Sequence, residues 1–179
     1  MPDAKVLSSK TVFQSKYFHV DRVKIERDGK SFEKDIIEAT SAVWIIPYTE
    51  NGEIYLASEY RDTFGKTILD CFGGKLEPGD DPLIAAKREL EEEAGLKGET
   101  WHHAATWEAA AIMKKKMYVF FVTGLEKTGR QHLDEDEEIE TVKFTIAEAL
   151  GKIDNGEVPV GLDVAAILLF DKFKREGKL

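Results

Sequence analysis

The chain has 179 residues, which suits one domain with a full core, or one domain and a small appendage, and excludes two large domains. Its residues are 42% hydrophobic and 33% charged, and no apolar run approaches the roughly 20 residues that a helical membrane span requires. A net charge of -9 argues against nucleic acid as a general partner, and the opening Met1-Pro2-Asp3-Ala4-Lys5 has no signal-peptide pattern, so a cytoplasmic protein is expected.

Up to about Thr40 the pattern is strand-like: Thr11-Val12-Phe13, Phe18-His19-Val20, Val23-Lys24-Ile25, then Phe32 and Ile36-Ile37, with Asp28-Gly29 as a hairpin turn. This predicts a small antiparallel N-terminal sheet over residues 1–40, ahead of a main domain over 41–179. Ala42–Ile46 and Ile54–Ala57 read as strands joined by the turn-rich Thr49-Glu50-Asn51-Gly52, which predicts a second hairpin. Cys71, the single cysteine, has no partner for a disulfide within the chain and reads as a buried thiol between Leu69 and Phe72.

The best-marked helix runs from Pro82 to Ala94. Asp81 is its N-cap, Pro82 suits the first helical position, and Gly95 can take the left-handed conformation that ends it. Leu83, Ala86 and Leu90 share one face, and Glu89, Glu92 and Glu93 share the flank beside it. Beyond it, Met117–Val122 and Thr141–Phe144 read as strands on either side of the acidic stretch Asp134–Glu138. A capping box, Thr145 to Glu148, opens one helix, and a second covers about Asp163 to Lys174 with Ala166, Leu169, Phe170 and Phe173 inward. Strands, helix, strands and helices in that order indicate α+β.

Three carboxylates on one helical flank repel one another, and the i,i+4 pair Glu89 and Glu93 weakens a helix by a few tenths of a kcal/mol. Either the face is simply solvated, or a hard divalent cation compensates it, with Arg88 holding Glu92 from i,i+4. Spacing separates the two readings. The chain runs Gly74, five residues, Asp80, seven residues, then Arg88-Glu89-Leu90-Glu91-Glu92-Glu93-Ala94-Gly95-Leu96, which resembles the Nudix box, G-x5-E-x7-R-E-U-x-E-E-x-G-U, with Asp80 in place of Glu.

The resemblance implies the Nudix α/β/α sandwich with a mixed central sheet. It also implies hydrolysis of a nucleoside diphosphate linked to another group, dependent on Mg²⁺ or Mn²⁺. By motif position Glu89, Glu92 and Glu93 are metal ligands, with the Gly73 carbonyl as a further one; Glu92 and Arg88 stand in the catalytic set, Arg88 orienting a carboxylate. Asp80, one methylene shorter than Glu, is expected to support the loop less well. Glu59-Tyr60-Arg61, Ile68–Gly79 and the acidic stretch are similar to ADP-ribose pyrophosphatases, which implies Glu135 as catalytic base and Glu137 as a metal ligand. Arg61 is a candidate phosphate contact, with Glu59 beside it; a surface salt bridge is the alternative for the arginine.

The likeness weakens at Glu108–Lys116, where such enzymes carry a proline-containing loop that helps select substrate. Here the stretch is read as a loop with three lysines, of which Lys115 is the candidate substrate contact; a plain solvated turn is the alternative. Trp101 and Trp107 are either stacking platforms for an adenine or core residues. The leading expectation is hydrolysis of ADP-ribose or a related ADP-sugar to AMP and a sugar phosphate. The alternatives are a hydrolase of GDP-mannose or another nucleoside diphosphate sugar, and a non-catalytic Nudix nucleotide-binding module. The N-terminal sheet, with its open edges, is the expected homodimer element.

Overall fold

A computed structural model gives the fold and describes residues 4–129, 131–133 and 138–179. In chain order the elements are β1 (Lys5–Gln14), β2 (Phe18–Arg27), β3 (Lys30–Ala39), β4 (Ala42–Pro47), β5 (Ile54–Arg61), β6 (Lys66–Asp70), α1 (Pro82–Ala94), β7 (Leu96–Ala110), β8 (Met113–Lys127), β9 (Ile139–Phe144), α2 (Ile146–Asp154) and α3 (Gly161–Arg175). They form two compact units: the chain up to Ser41 with Trp107–Met117, and Ala42–Thr106 with Tyr118–Leu179.

In the first unit β1, β2 and β3 form an antiparallel meander. Asp28 and Gly29, both at positive φ, make the turn between β2 and β3, because a tight hairpin needs left-handed residues at its two central positions. The two apolar runs at Phe18 and Val23 are one continuous strand. β3 then pairs in parallel with the start of β8, Ile37 opposite Met113 and Glu38 opposite Lys114.

The expected loop at Glu108–Lys116 is a strand-turn-strand instead. β7 continues to Ala110, Ala111-Ile112 make the turn, and β8 begins at Met113. Along β8, Met113, Lys115 and Met117 are less exposed than Lys114 and Lys116, the alternation a strand imposes on its two faces. Lys114 reaches Glu38 on the paired strand at 3.2 Å.

The second unit is the α+β sandwich. Alternation along β4 and β8 sends successive side chains to opposite faces. Val43, Ile45, Phe120 and Val122 join Ala85, Ala86 and Leu90 of α1 in one buried cluster. On the other face Trp44 bonds Asp163 of α3, and Phe121 packs edge-on against Phe170 with centroids 5.2 Å apart. Helices therefore cover both sides. β5 pairs antiparallel with β6 and with β9 in a three-stranded sheet.

The hairpin expected between β4 and β5 closes only at its base. Thr49 and Glu53 bond across the turn and Tyr48 bridges Ile54, after which the strands part into different sheets. The reason is competition for β4: Val43 and Ile45 donate to the carbonyls of Gly74 and Phe72, so that edge already has a partner. No helix among the described residues is long and apolar enough to cross a membrane.

Candidate active site

The site is built where the segment leaving β6 meets α1. The Val43 and Ile45 amides hold the carbonyls of Gly74 at 2.9 Å and Phe72 at 2.8 Å. Between them the Gly73 N–H turns the other way and donates to Glu93 Oε2 at 2.8 Å. Gly73 has φ 156°, and a Cβ there would overlap the Val43 carbonyl oxygen; a Cβ on Gly74 would overlap the Glu89 carboxylate. Glycine at both positions lets the backbone lie directly against the carboxylates of the helix.

Local chemistry sets α1 as expected. Asp81 Oδ1 accepts from Leu83 and Ile84 N–H, Pro82 opens the helix, and Gly95 ends it at φ 61°. Leu90 is wholly buried, so the flank that carries Glu89 and Glu93 is brought to the edge of the core. Glu93 is itself buried, whereas the Glu92 side chain is 41% exposed.

Arg88 holds this flank to the loop before it. One Nη donates to Asp80 Oδ2 at 3.1 Å and the other to Glu89 Oε1 at 3.1 Å, while the expected partner Glu92 stands off at 3.8 Å. Asp80 Oδ2 also accepts from the Glu77 N–H at 3.0 Å. That bond, with Arg88 beside it, holds the Asp80 carboxyl below the usual carboxylate range. The shorter side chain thus reaches both the Glu77 amide and the Arg88 guanidinium.

Arg61 and Glu59 lie on β5. The guanidinium donates to Asp70 Oδ2 from Nε at 3.1 Å and from Nη2 at 2.9 Å, and it pairs with the buried Glu59 at 3.0 Å. Burial opposes its charge, but Asp70 and Glu59, with Glu93 behind them, raise its pKa. Its side chain remains 44% exposed, so one arginine pairs with two carboxylates and still has a solvent face.

The stretch before the acidic run is tied to the end of α1. His132 N–H donates to the Glu92 carbonyl and Gln131 Nε2 to the Glu93 carbonyl. On the far side of that run, Ile139 pairs with Glu59. Glu135 and Glu137 lie outside the described residues. Among the described residues no three or more His, Cys, Asp or Glu side chains are gathered as a metal-holding group. Glu89 and Glu93 instead lie against Gly74 and Gly73, and their carboxylate oxygens are the donor type a hard cation takes.

Lys115 belongs to the first unit, on β8. Trp107 is half-buried in that unit, and Trp101 packs edge-on to Phe120 at 6.2 Å, its indole N–H donating to the Gly98 carbonyl. Trp101 is thus partly buried against the core cluster. Cys71 is buried as expected, and burial pushes its thiol well above the ordinary range. A cleft of about 920 Å³ at the C-terminal end of α1, lined by Tyr55, Tyr60, Gly95, Gln131, Ile139 and Thr141 among others, carries none of the box carboxylates.

Sequence reasoning missed Asp70 as the partner of Arg61, and Asp163. The second left a signal: it falls three residues before Ala166 and seven before Phe170, on the inward face of its helix, where an acid needs a reason to be.

The NUDIX domain model matches residues 38–161. An ADP-ribose pyrophosphatase of Mycobacterium tuberculosis is 29% identical over 170 residues, 93% of this chain and 82% of that protein. A methanol dehydrogenase activator of Bacillus methanolicus is 30% identical over 154 residues, 82% of this chain and 83% of that protein. The crystal structure of an ADP compounds hydrolase shares the fold with a TM-score of 0.84 at 23% identity, covering 99% of this chain and 97% of that one.

Proposed function

The chain belongs to the NUDIX family, and from that premise we propose that this hydrolase cleaves the diphosphate of ADP-ribose or a related ADP-sugar to AMP and a sugar phosphate. The observation that carries the reading is the contact of the Gly73-Gly74 backbone with Glu93 and Glu89, which holds two carboxylates of the matched box against the loop. The ADP-ribose pyrophosphatase relative, similar over most of both chains, supports the substrate class.

A divalent cation, Mg²⁺ with Mn²⁺ as the alternative, neutralises the diphosphate oxygens and acidifies the attacking water when bound. Glu89, Glu92, Glu93, Glu137 and the Gly73 carbonyl hold it in this reading, and Arg88 orients Glu89. Glu135 accepts the proton of the water. Support for the last role is positional: the described residues on either side of the acidic run are anchored at the Glu92 carbonyl and at Glu59. Arg61, backed by Glu59, meets the substrate phosphates with its exposed face.

The first unit, with residues 1–40 as its main part, is the dimerisation element in this reading. β1 lies at the end of its sheet, and Val6, Val12 and Phe13 stand exposed along it, a long edge that a second copy can cover.

The test is release of phosphatase-sensitive product from ADP-ribose, other ADP-sugars and GDP-mannose with Mg²⁺, with and without chelator. Preferred turnover of ADP-ribose is expected. Faster turnover of GDP-mannose would transfer the reading to that substrate, and no turnover with any divalent metal would leave a nucleotide-binding module. Glu92→Gln and Glu135→Gln should each lower kcat/KM by roughly 10²–10⁴ while the melting temperature stays near that of the parent.

A further inference from the structure

Asp163, in the first turn of α3, has no solvent exposure at all. Its Oδ1 accepts from the Trp44 indole N–H at 2.8 Å and from the Cys71 N–H at 3.0 Å. Its Oδ2 is sealed from water and receives no hydrogen bond, and the carboxyl lies beside a second one, that of Asp70. A bare carboxylate oxygen in such a place would be uncompensated on one side and repelled on the other. A proton on Oδ2 removes both defects, because the acid then donates to Asp70.

Asp70 in turn accepts both Arg61 hydrogen bonds on its own Oδ2. The result is a continuous chain from the interior to the site: Asp163 lies beside Asp70, Asp70 accepts from Arg61, and Arg61 pairs with Glu59. We propose that Asp163 is a positioning residue that, by donating a proton-borne hydrogen bond to Asp70, sets the orientation in which Arg61 meets the substrate phosphates. The proposal rests on the phosphate role given to Arg61 above.

The surroundings agree on the proton. Burial and the neighbouring Asp70 push the Asp163 carboxyl up to about 8, against the opposing pull of the Cys71 N–H and of the Cys71 thiol, which the same carboxylate holds protonated. The N-terminus of α3, where Asp163 sits, also favours the charged form, yet it does not outweigh burial beside a second acid. As pH rises through that value the donated bond becomes a repulsion, and Asp70 loses its fixed position.

Asparagine separates this role from simple packing. In Asp163→Asn the amide oxygen still accepts from Trp44 and Cys71, and the amide N–H₂ still donates to Asp70, but no proton can be lost. Steady-state kinetics on ADP-ribose should show KM of the parent rising about tenfold between about pH 7 and pH 9, while KM of Asp163→Asn stays level. Asp70→Asn should raise KM about tenfold already at pH 7, with kcat changed less, because Arg61 loses a charged partner. The same KM rise in Asp163→Asn as in the parent would overturn the proposal, as would an Asp70→Asn enzyme with unchanged KM.

Thermal melting provides a readout independent of turnover. A carboxyl whose folded pKa is raised holds a proton that the unfolded chain has released, so its stabilisation is lost as pH rises through about 8. The parent should therefore lose melting temperature relative to Asp163→Asn from about pH 5 to pH 8 and level off above. If the parent hydrolyses no nucleotide sugar, the proposed function fails alone; if the two melting curves track each other across pH, the Asp163 inference fails alone.

Discussion

At the scale of single residues, Gly73 and Gly74 look alike in the sequence and differ in what surrounds them. The Cβ of an alanine at 73 would strike the Val43 backbone carbonyl, which belongs to a paired strand and cannot yield. The same atom at 74 would strike the Glu89 carboxylate, the end of a side chain that can rotate. Gly73→Ala should therefore cost about 2–4 kcal/mol of stability through overpacking and backbone strain, read as a lower denaturant midpoint. Gly74→Ala should cost less than about 1 kcal/mol but lower kcat/KM about 10²-fold, because a small misplacement of a reacting group is expensive in rate. The glycines were legible as close-approach positions; which neighbour each one spares was not, since Val43 is thirty residues away in the chain.

At the scale of elements, α1 is the part the sequence describes most completely. Its cap residue, first-turn proline and terminal glycine act within a few residues of themselves, and no distant partner is needed to read them. Asp81→Ala should lower stability by about 1 kcal/mol, measured by chemical denaturation, as two first-turn amides lose their acceptor. β7 is the opposite case. Its sequence, Leu96 to Ala110, lacks a clear two-residue apolar rhythm, and it is a strand because β8 pairs with it. By sequence the stretch Glu108–Lys116 resembles a loop for the same reason: its alanines and lysines carry weak local preference, and strand propensity yields to pairing. The sequence marks β4 as a strand but not its neighbours, because apolar composition marks burial and does not say which edge is taken.

At the scale of the molecule, the two units raise different expectations. The first exposes apolar side chains along β1, and light scattering should find the mass of a dimer that falls toward the monomer in a Val6→Asp, Phe13→Asp double variant. In the second unit, cation binding should appear as stability. Saturating Mg²⁺ should raise the melting temperature of the parent, since a ligand that binds only the folded state adds RT ln(1 + [L]/Kd), and Glu93→Gln should lose most of that gain. An equal shift in both proteins would remove Glu93 from the ligand set.

The sequence by itself determined the α+β class, the limits of α1 and the spacing of Gly74, Asp80, Arg88, Glu89, Glu92 and Glu93, all of which depend on contacts within a few turns or on a motif contiguous in the chain. Tertiary structure alone decided that β4 clamps the glycines against the helix, that Arg88 prefers Asp80 and Glu89 to Glu92, and that Asp163 lies buried against Asp70. Each of these is a choice among competing partners far apart in the chain, and burial and register, which are properties of the whole fold, make that choice.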